Sequence, residues 1–111
     1  KLVEKNLLNA SANITGGGLI ENLLRSIPKN LSIKIDLSKI KTTGIFKFIK
    51  KNKISDKEML RTFNCGVGFC LIVKKKNINK IQKVFSIKYK PYEIGKVISN
   101  KKIKLINNLR W

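Results

Sequence analysis

Three consecutive glycines, Gly16, Gly17 and Gly18, separate two patterns that cannot belong to one element. Ahead of them residues 9–14 form a short stretch of small and apolar side chains suited to a strand. Behind them Leu19, Ile20, Leu23, Leu24 and Ile27 recur at helical spacing, and Pro28 closes that helix. A strand that enters a helix through glycine restricts the fold to layered strands and helices.

The rest of the chain continues the alternation. Residues 1–8 carry Leu2, Val3, Leu7 and Leu8 and suggest the end of a helix. Leu31, Ile33, Ile35 and Leu37 alternate with Ser32, Lys34 and Asp36, the period of a half-buried strand. Ile45, Phe46, Phe48 and Ile49 share one helical face. Ser55-Asp56-Lys57-Glu58 has the form of a capping box, in which Ser55 accepts an amide of the first turn and Glu58 reaches back, so a short helix through Arg61 is expected. Residues 67–73 are apolar on both faces, as in a central strand, with Gly66 and Gly68 at the entrance. Ile78, Ile81, Val84 and Phe85 suit a further packing helix. Strands near 92–98 and 101–106 finish the chain, with Asn100 as the turn residue between them. The expected fold is α/β (α+β): one domain over residues 1–111, a mixed β-sheet packed with helices.

Composition adds constraints. The formal charge is +19, from 25 basic and 6 acidic residues. A nucleic-acid-binding module is one explanation. Yet only Arg25, Arg61 and Arg110 are arginines, where phosphate and base contacts favour the bidentate guanidinium. Stacking aromatics are few. Lys, Asn and Ile share A- and T-rich codons, so biased composition accounts for the charge, and nucleic acid is not the expected partner. The longest apolar run, residues 69–73, is too short to cross a bilayer, and no membrane partner is expected. No secretory leader is visible near Lys1, so a cytoplasmic location is expected. The chain starts at Lys rather than Met, as a piece of a longer or processed chain would.

Cys65 and Cys70 lie an odd offset apart, which in a strand points them to opposite faces, so buried reduced thiols are expected. Two cysteines without histidine supply too few ligands for zinc, and no metal-ligating residue is assigned. The carboxylates Glu4, Glu21, Asp36, Asp56, Glu58 and Glu93 form no close pair of the kind that holds Mg²⁺-ATP. No catalytic residue is assigned.

Two segments carry candidate binding groups. Thr15, Gly16, Gly17 and Gly18 precede a helix whose first amides lack intrahelical partners, a setting that favours phosphate, with Asn22 one turn in. A tight turn with no ligand would use the same glycines. Arg61-Thr62-Phe63-Asn64-Cys65-Gly66-Val67-Gly68 offers the Arg61 guanidinium and the Asn64 amide at the mouth of a strand. Arg61 can equally serve the last carbonyls of its own helix.

Two stretches, Ile14-Thr15-Gly16-Gly17-Gly18-Leu19-Ile20-Glu21-Asn22 and Glu58-Met59-Leu60-Arg61-Thr62-Phe63-Asn64-Cys65-Gly66-Val67-Gly68, resemble the aminoimidazole ribonucleotide (AIR) synthetase family, the phosphoribosylformylglycinamidine cyclo-ligases. Ile54-Ser55-Asp56 and Tyr92-Glu93-Ile94-Gly95-Lys96-Val97 add to the likeness. Selenophosphate synthetase and other ATP-using members of the superfamily share the fold, but the second stretch favours AIR synthetase. The resemblance covers nearly the whole chain, as the C-terminal domain of that enzyme. It implies a homodimer of two-domain subunits whose N-terminal domain, absent from this chain, holds most of the ATP and Mg²⁺ contacts. It implies ATP-dependent ring closure of formylglycinamidine ribonucleotide to AIR in purine biosynthesis, with ATP activating the formyl oxygen. Thr15, Gly16, Gly17 and Gly18 would then face a phosphate-bearing ligand, and Arg61 and Asn64 would shape the cleft. The piece alone is expected to be inactive. The family usually places His immediately before Ile-Thr-Gly-Gly-Gly. Here Asn13 replaces it as a ligand contact that can hydrogen-bond but cannot shuttle protons near pH 7.

Overall fold

The structure is a computed structural model and describes residues 1–111. In chain order the elements are β1 (Ala10–Asn13), α1 (Gly18–Arg25), β2 (Ser32–Asp36), α2 (Gly44–Lys50), α3 (Asp56–Thr62), β3 (Phe69–Ile72), α4 (Ile78–Gln82), β4 (Gly95–Ile98) and β5 (Lys104–Ile106). Single 3-10 turns fall at Leu37–Lys39, Lys75–Asn77 and Ile87–Tyr89. The α+β class expected from the alternating patterns is the class observed.

The strands form two sheets rather than one. β1 and β3 pair antiparallel, with Ala12 opposite Cys70 and Asn13 opposite Phe69. β2 is the centre of a three-stranded mixed sheet, antiparallel to β4 (Ile33 opposite Val97) and parallel to β5 (Ile35 opposite Leu105). One hydrophobic core joins the sheets: Ala12, Ile14 and Cys70 from the first, Ile33 and Ile35 from the second, Leu19 and Leu23 from α1, Met59 and Leu60 from α3. Leu19 and Met59 have lost essentially all solvent contact. Each such side chain contributes about 1.5–3 kcal/mol of transfer free energy.

Several local expectations need correction. Residues 1–8 make hydrogen-bonded turns, not an α-helix; Asn6, at a φ of 51°, adopts the left-handed conformation and ends the coil. The apolar run at 67–73 is not a central strand. Its β3 portion has one partner, β1, and Phe69 stays 59% exposed. An apolar run shows that both faces can be buried, not that both are covered. The two final strands are shorter than expected and flank β2 on either side, and Asn100 turns the chain between them, its Oδ1 accepting from Lys102 N–H at 3.1 Å. α2 buries no residue completely: Phe46 and Ile49 pack against the core while Ile45 and Phe48 face solvent. α4 stops at Gln82 and buries only Ile81, so Val84 and Phe85 lie beyond it. The capping box is half made. Ser55 Oγ accepts from Glu58 N–H at 3.2 Å, but the Glu58 carboxylate turns forward to Thr62 Oγ1 at 2.8 Å and Arg61 at 3.1 Å. Those two bonds hold the Glu58 carboxyl below its ordinary range. No helix is long and apolar enough to cross a membrane.

Candidate functional site

The topology brings the two glycine-bearing segments to one place. β1 and β3 run antiparallel, so the end of β1 lies beside the start of β3, and the Ile14 N–H donates to Gly68 O at 2.9 Å. From there the chain enters α1 through residues 15–17, while α3 delivers residues 61–68 to the same end of the sheet. α1 and α3 are packed at the glycine loop itself. Gly18 has a φ of +72°, and a Cβ there would collide with the Leu60 carbonyl. Only glycine permits that approach.

The loop is held from within. Asn22 is buried, and its Nδ2 donates to Gly18 O at 2.7 Å, Gly16 O at 3.2 Å and Thr15 O at 3.4 Å. The sequence suggests Asn22 as a pocket-lining residue; the structure places it underneath the loop, with its donors spent on loop carbonyls. The Gly18 N–H closes a turn onto Thr15 O at 3.1 Å. The amides of Gly16, Gly17, Leu19 and Ile20 have no hydrogen-bond partner in the protein. Thr15 and Gly16 are exposed, and a Cβ on Gly16 would meet nothing within 4 Å. Gly17 is the N-cap residue of α1, at a φ of 92°, and supplies no capping side chain. Asn13 is exposed at the end of β1, next to this loop.

Glu21 also takes part at this loop. Glu21 folds its carboxylate back over Gly17, where a Cβ would strike it, and pairs with Arg25 one turn later. The Glu21-to-Arg25 spacing of four is the ordinary signature of a helical ion pair. An acidic side chain in the first turn also complements the helix dipole. Gly17 is therefore covered by an exposed carboxylate, and Gly16 is the open glycine.

The second segment is built differently. Arg61 is exposed on the last turn of α3, and its guanidinium pairs with Glu58 at 3.1 Å rather than with the helix-end carbonyls. Its backbone, not its side chain, lies against Gly18. Asn64 is half-buried. Its Oδ1 accepts from Gly66 N–H, and its carbonyl accepts from Val67 N–H, both at 2.9 Å. Gly66, at a φ of +104°, approaches the Lys41 carbonyl, which a Cβ would reach at 2.5 Å. Cys65 is buried with a φ of 52°, and its thiol points to Met59 O at 3.4 Å. Burial, and secondarily the Asp56 charge, push the Cys65 thiol up to about 11; burial does the same for Cys70. Both are free and protonated near neutrality, and neither suits nucleophilic work.

The donors available at the loop are amide N–H groups and the Thr15 hydroxyl, which match phosphate oxygens. No group of three or more His, Cys, Asp or Glu side chains converges anywhere in the chain. Two surface cavities, of about 330 and 510 Å³, lie around α4 and are lined in part by Lys83, away from the loop.

The family model for the AIR synthase related protein, C-terminal domain, matches residues 1–108. The chain belongs to this family. It is 43% identical over 99 residues to the phosphoribosylformylglycinamidine cyclo-ligase of Fusobacterium nucleatum, covering 87% of the chain and 29% of that enzyme. The enzymes of the same name from Pseudothermotoga lettingae and Streptococcus agalactiae are 38% and 39% identical over 97 and 98 residues, 86% and 87% of the chain. The chain thus spans under a third of the length of these curated relatives. The matched stretch includes every strand of both sheets, and residues 109–111 lie beyond it.

Proposed function

We propose that the chain works as the C-terminal domain of a phosphoribosylformylglycinamidine cyclo-ligase, closing formylglycinamidine ribonucleotide to AIR at the expense of ATP. The supporting observation is the convergence of the two family segments: Ile14 and Gly18 of the first lie on Gly68 and Leu60 of the second. Thr15 and the open amides of Gly16, Gly17, Leu19 and Ile20 receive phosphate oxygens of the nucleotide substrate. Asn22 keeps the loop carbonyls turned inward, away from the anion. Asn13 offers an amide beside the loop, where it orients ligand without carrying a proton. Arg61 and Asn64 form the opposite wall. Glu21 swings off Gly17 as the ligand enters and remains paired to Arg25.

ATP, with Mg²⁺, supplies the phosphoryl group that activates the formyl oxygen, and its metal ligands belong to an N-terminal domain of the kind that would account for the relatives' greater length. The assembled protein is a cytoplasmic homodimer, and the chain needs its N-terminal domain for turnover. The test is a chimera in which this chain replaces the corresponding stretch of the Fusobacterium nucleatum enzyme. AIR formation from formylglycinamidine ribonucleotide and ATP is expected. A folded, dimeric chimera without turnover rejects the proposal.

A further inference from the structure

Residues 109–111, beyond the family match, are firmly attached. Leu109 is buried, the Thr42 hydroxyl donates to Arg110 O at 2.7 Å, and the Trp111 indole N–H donates to Asp56 Oδ1 at 2.9 Å. Just before them Asn107 Nδ2 donates to Asp36 Oδ1 at 2.9 Å. The Lys50 ammonium pairs with Asp56 at 2.9 Å and lies 6.0 Å from the Trp111 ring centre. Burial pushes the Asp56 carboxyl up, but hydrogen bonds from Lys50 and Trp111 outweigh it and leave the group below its ordinary value. The segment therefore straps the end of β2, α2 and the first turn of α3 together.

Asp56 is the first residue of α3, and Leu60, in the same helix, is the residue whose carbonyl abuts Gly18. α3 has seven residues, roughly 10 Å of continuous helix between Asp56 and the turn that follows it. We propose that Trp111 is a positioning residue: its hydrogen bond to Asp56 sets α3, and α3 sets the seat of the glycine loop through Leu60. What the loop then binds rests on the proposed function, but the coupling is a property of this chain and is tested without ligand.

The experiment follows backbone amide resonances in the 111-residue chain. Trp111→Phe keeps an aromatic ring and removes the N–H. Its expected result is a shift of the Gly16, Gly17 and Gly18 resonances, with Lys80 and Ile81 of α4 unmoved. Asp56→Ala should reproduce the shift, and the double variant should add nothing to it. Asp56→Asn keeps the acceptor oxygen and should leave the loop as in the parent. Shifts confined to Lys50, Asp56 and their neighbours, or additive effects in the double variant, overturn the proposal. Hydrogen exchange in the unaltered chain supplies a measurement that needs no variant. The Trp111 indole N–H and the Gly18 and Phe63 amides should open together at one rate. An indole that exchanges freely while Gly18 stays protected contradicts the coupling.

Discussion

The two glycine turns that meet at the end of the β1–β3 sheet are each braced by an asparagine, one from the following helix and one within the turn, and the two asparagines bond with opposite polarity. Asn22 donates to the carbonyls of Thr15, Gly16 and Gly18 and leaves four amides of its turn unpaired. Asn64 accepts from the Gly66 amide, and its own carbonyl takes the Val67 amide, so two donors of that turn are spent inside it. A turn that satisfies its carbonyls and spares its N–H groups is prepared for an anion. A turn that closes on itself is prepared to hold a shape. The glycines divide similarly: Gly18 and Gly66 are packing devices against backbone carbonyls, while Gly16 is open.

The largest expected effect comes from Gly18→Ala, which meets both a left-handed φ and the Leu60 carbonyl. It should destabilise by about 3 kcal/mol or more in urea unfolding. A loss under about 1 kcal/mol would mean that α1 and α3 are not in contact there. In the second turn, Cys65 tests the self-contained character of the fold around it. Its thiol ionises at about 11 in the folded chain against an ordinary 9, so between pH 9 and 11 the unfolded state holds fewer protons than the native one. Stability is then intact below pH 9 and falls as pH rises towards 11, by about 1–2 kcal/mol from this group. Urea midpoints of Cys65→Ala should lack that part of the alkaline decline; an identical decline in both proteins would show the thiol to be solvated.

Asn22→Ala removes the donor that holds three carbonyls and should cost about 2 kcal/mol, whereas Asn64→Ala, losing one bond, should cost about 1 kcal/mol. Equal losses would erase the contrast between the turns. Smallest of all is Gly16→Ala, expected within about 0.5 kcal/mol of the parent because nothing lies near its Cβ. Gly17 is a poorer probe than its place in the motif suggests, since its φ of +92° and the overlying Glu21 carboxylate make any substitution a structural one.

Much of this contrast was legible in the residues. The strand–glycine–helix junction, Pro28 after the helix, the Ile33–Ile35 alternation and the Ser55 cap all appear in the fold because they depend on neighbours in sequence. What failed depends on distant partners. Nothing local tells whether residues 67–73 are covered on one face or two, or that β4 and β5 will sit on either side of β2. The inward role of Asn22 was hidden because an amide reads alike as ligand contact or as loop tie. Trp111, the only tryptophan, gave no hint that its indole would meet Asp56. The Glu21–Arg25 ion pair is legible from its spacing of four, but the carboxylate's place over Gly17 is not.

The central claim, that Gly16 and the bare amides around it receive a phosphate, is tested most directly by Gly16→Asp in the chimeric cyclo-ligase, with Gly16→Ala beside it. Both variants should fold as stably as the parent, because position 16 is open. The alanine variant should keep turnover near the parent value. The aspartate places an anion where the phosphate belongs and should lower kcat/KM at least tenfold, about 1.4 kcal/mol. Parent-level turnover with Gly16→Asp would contradict the account.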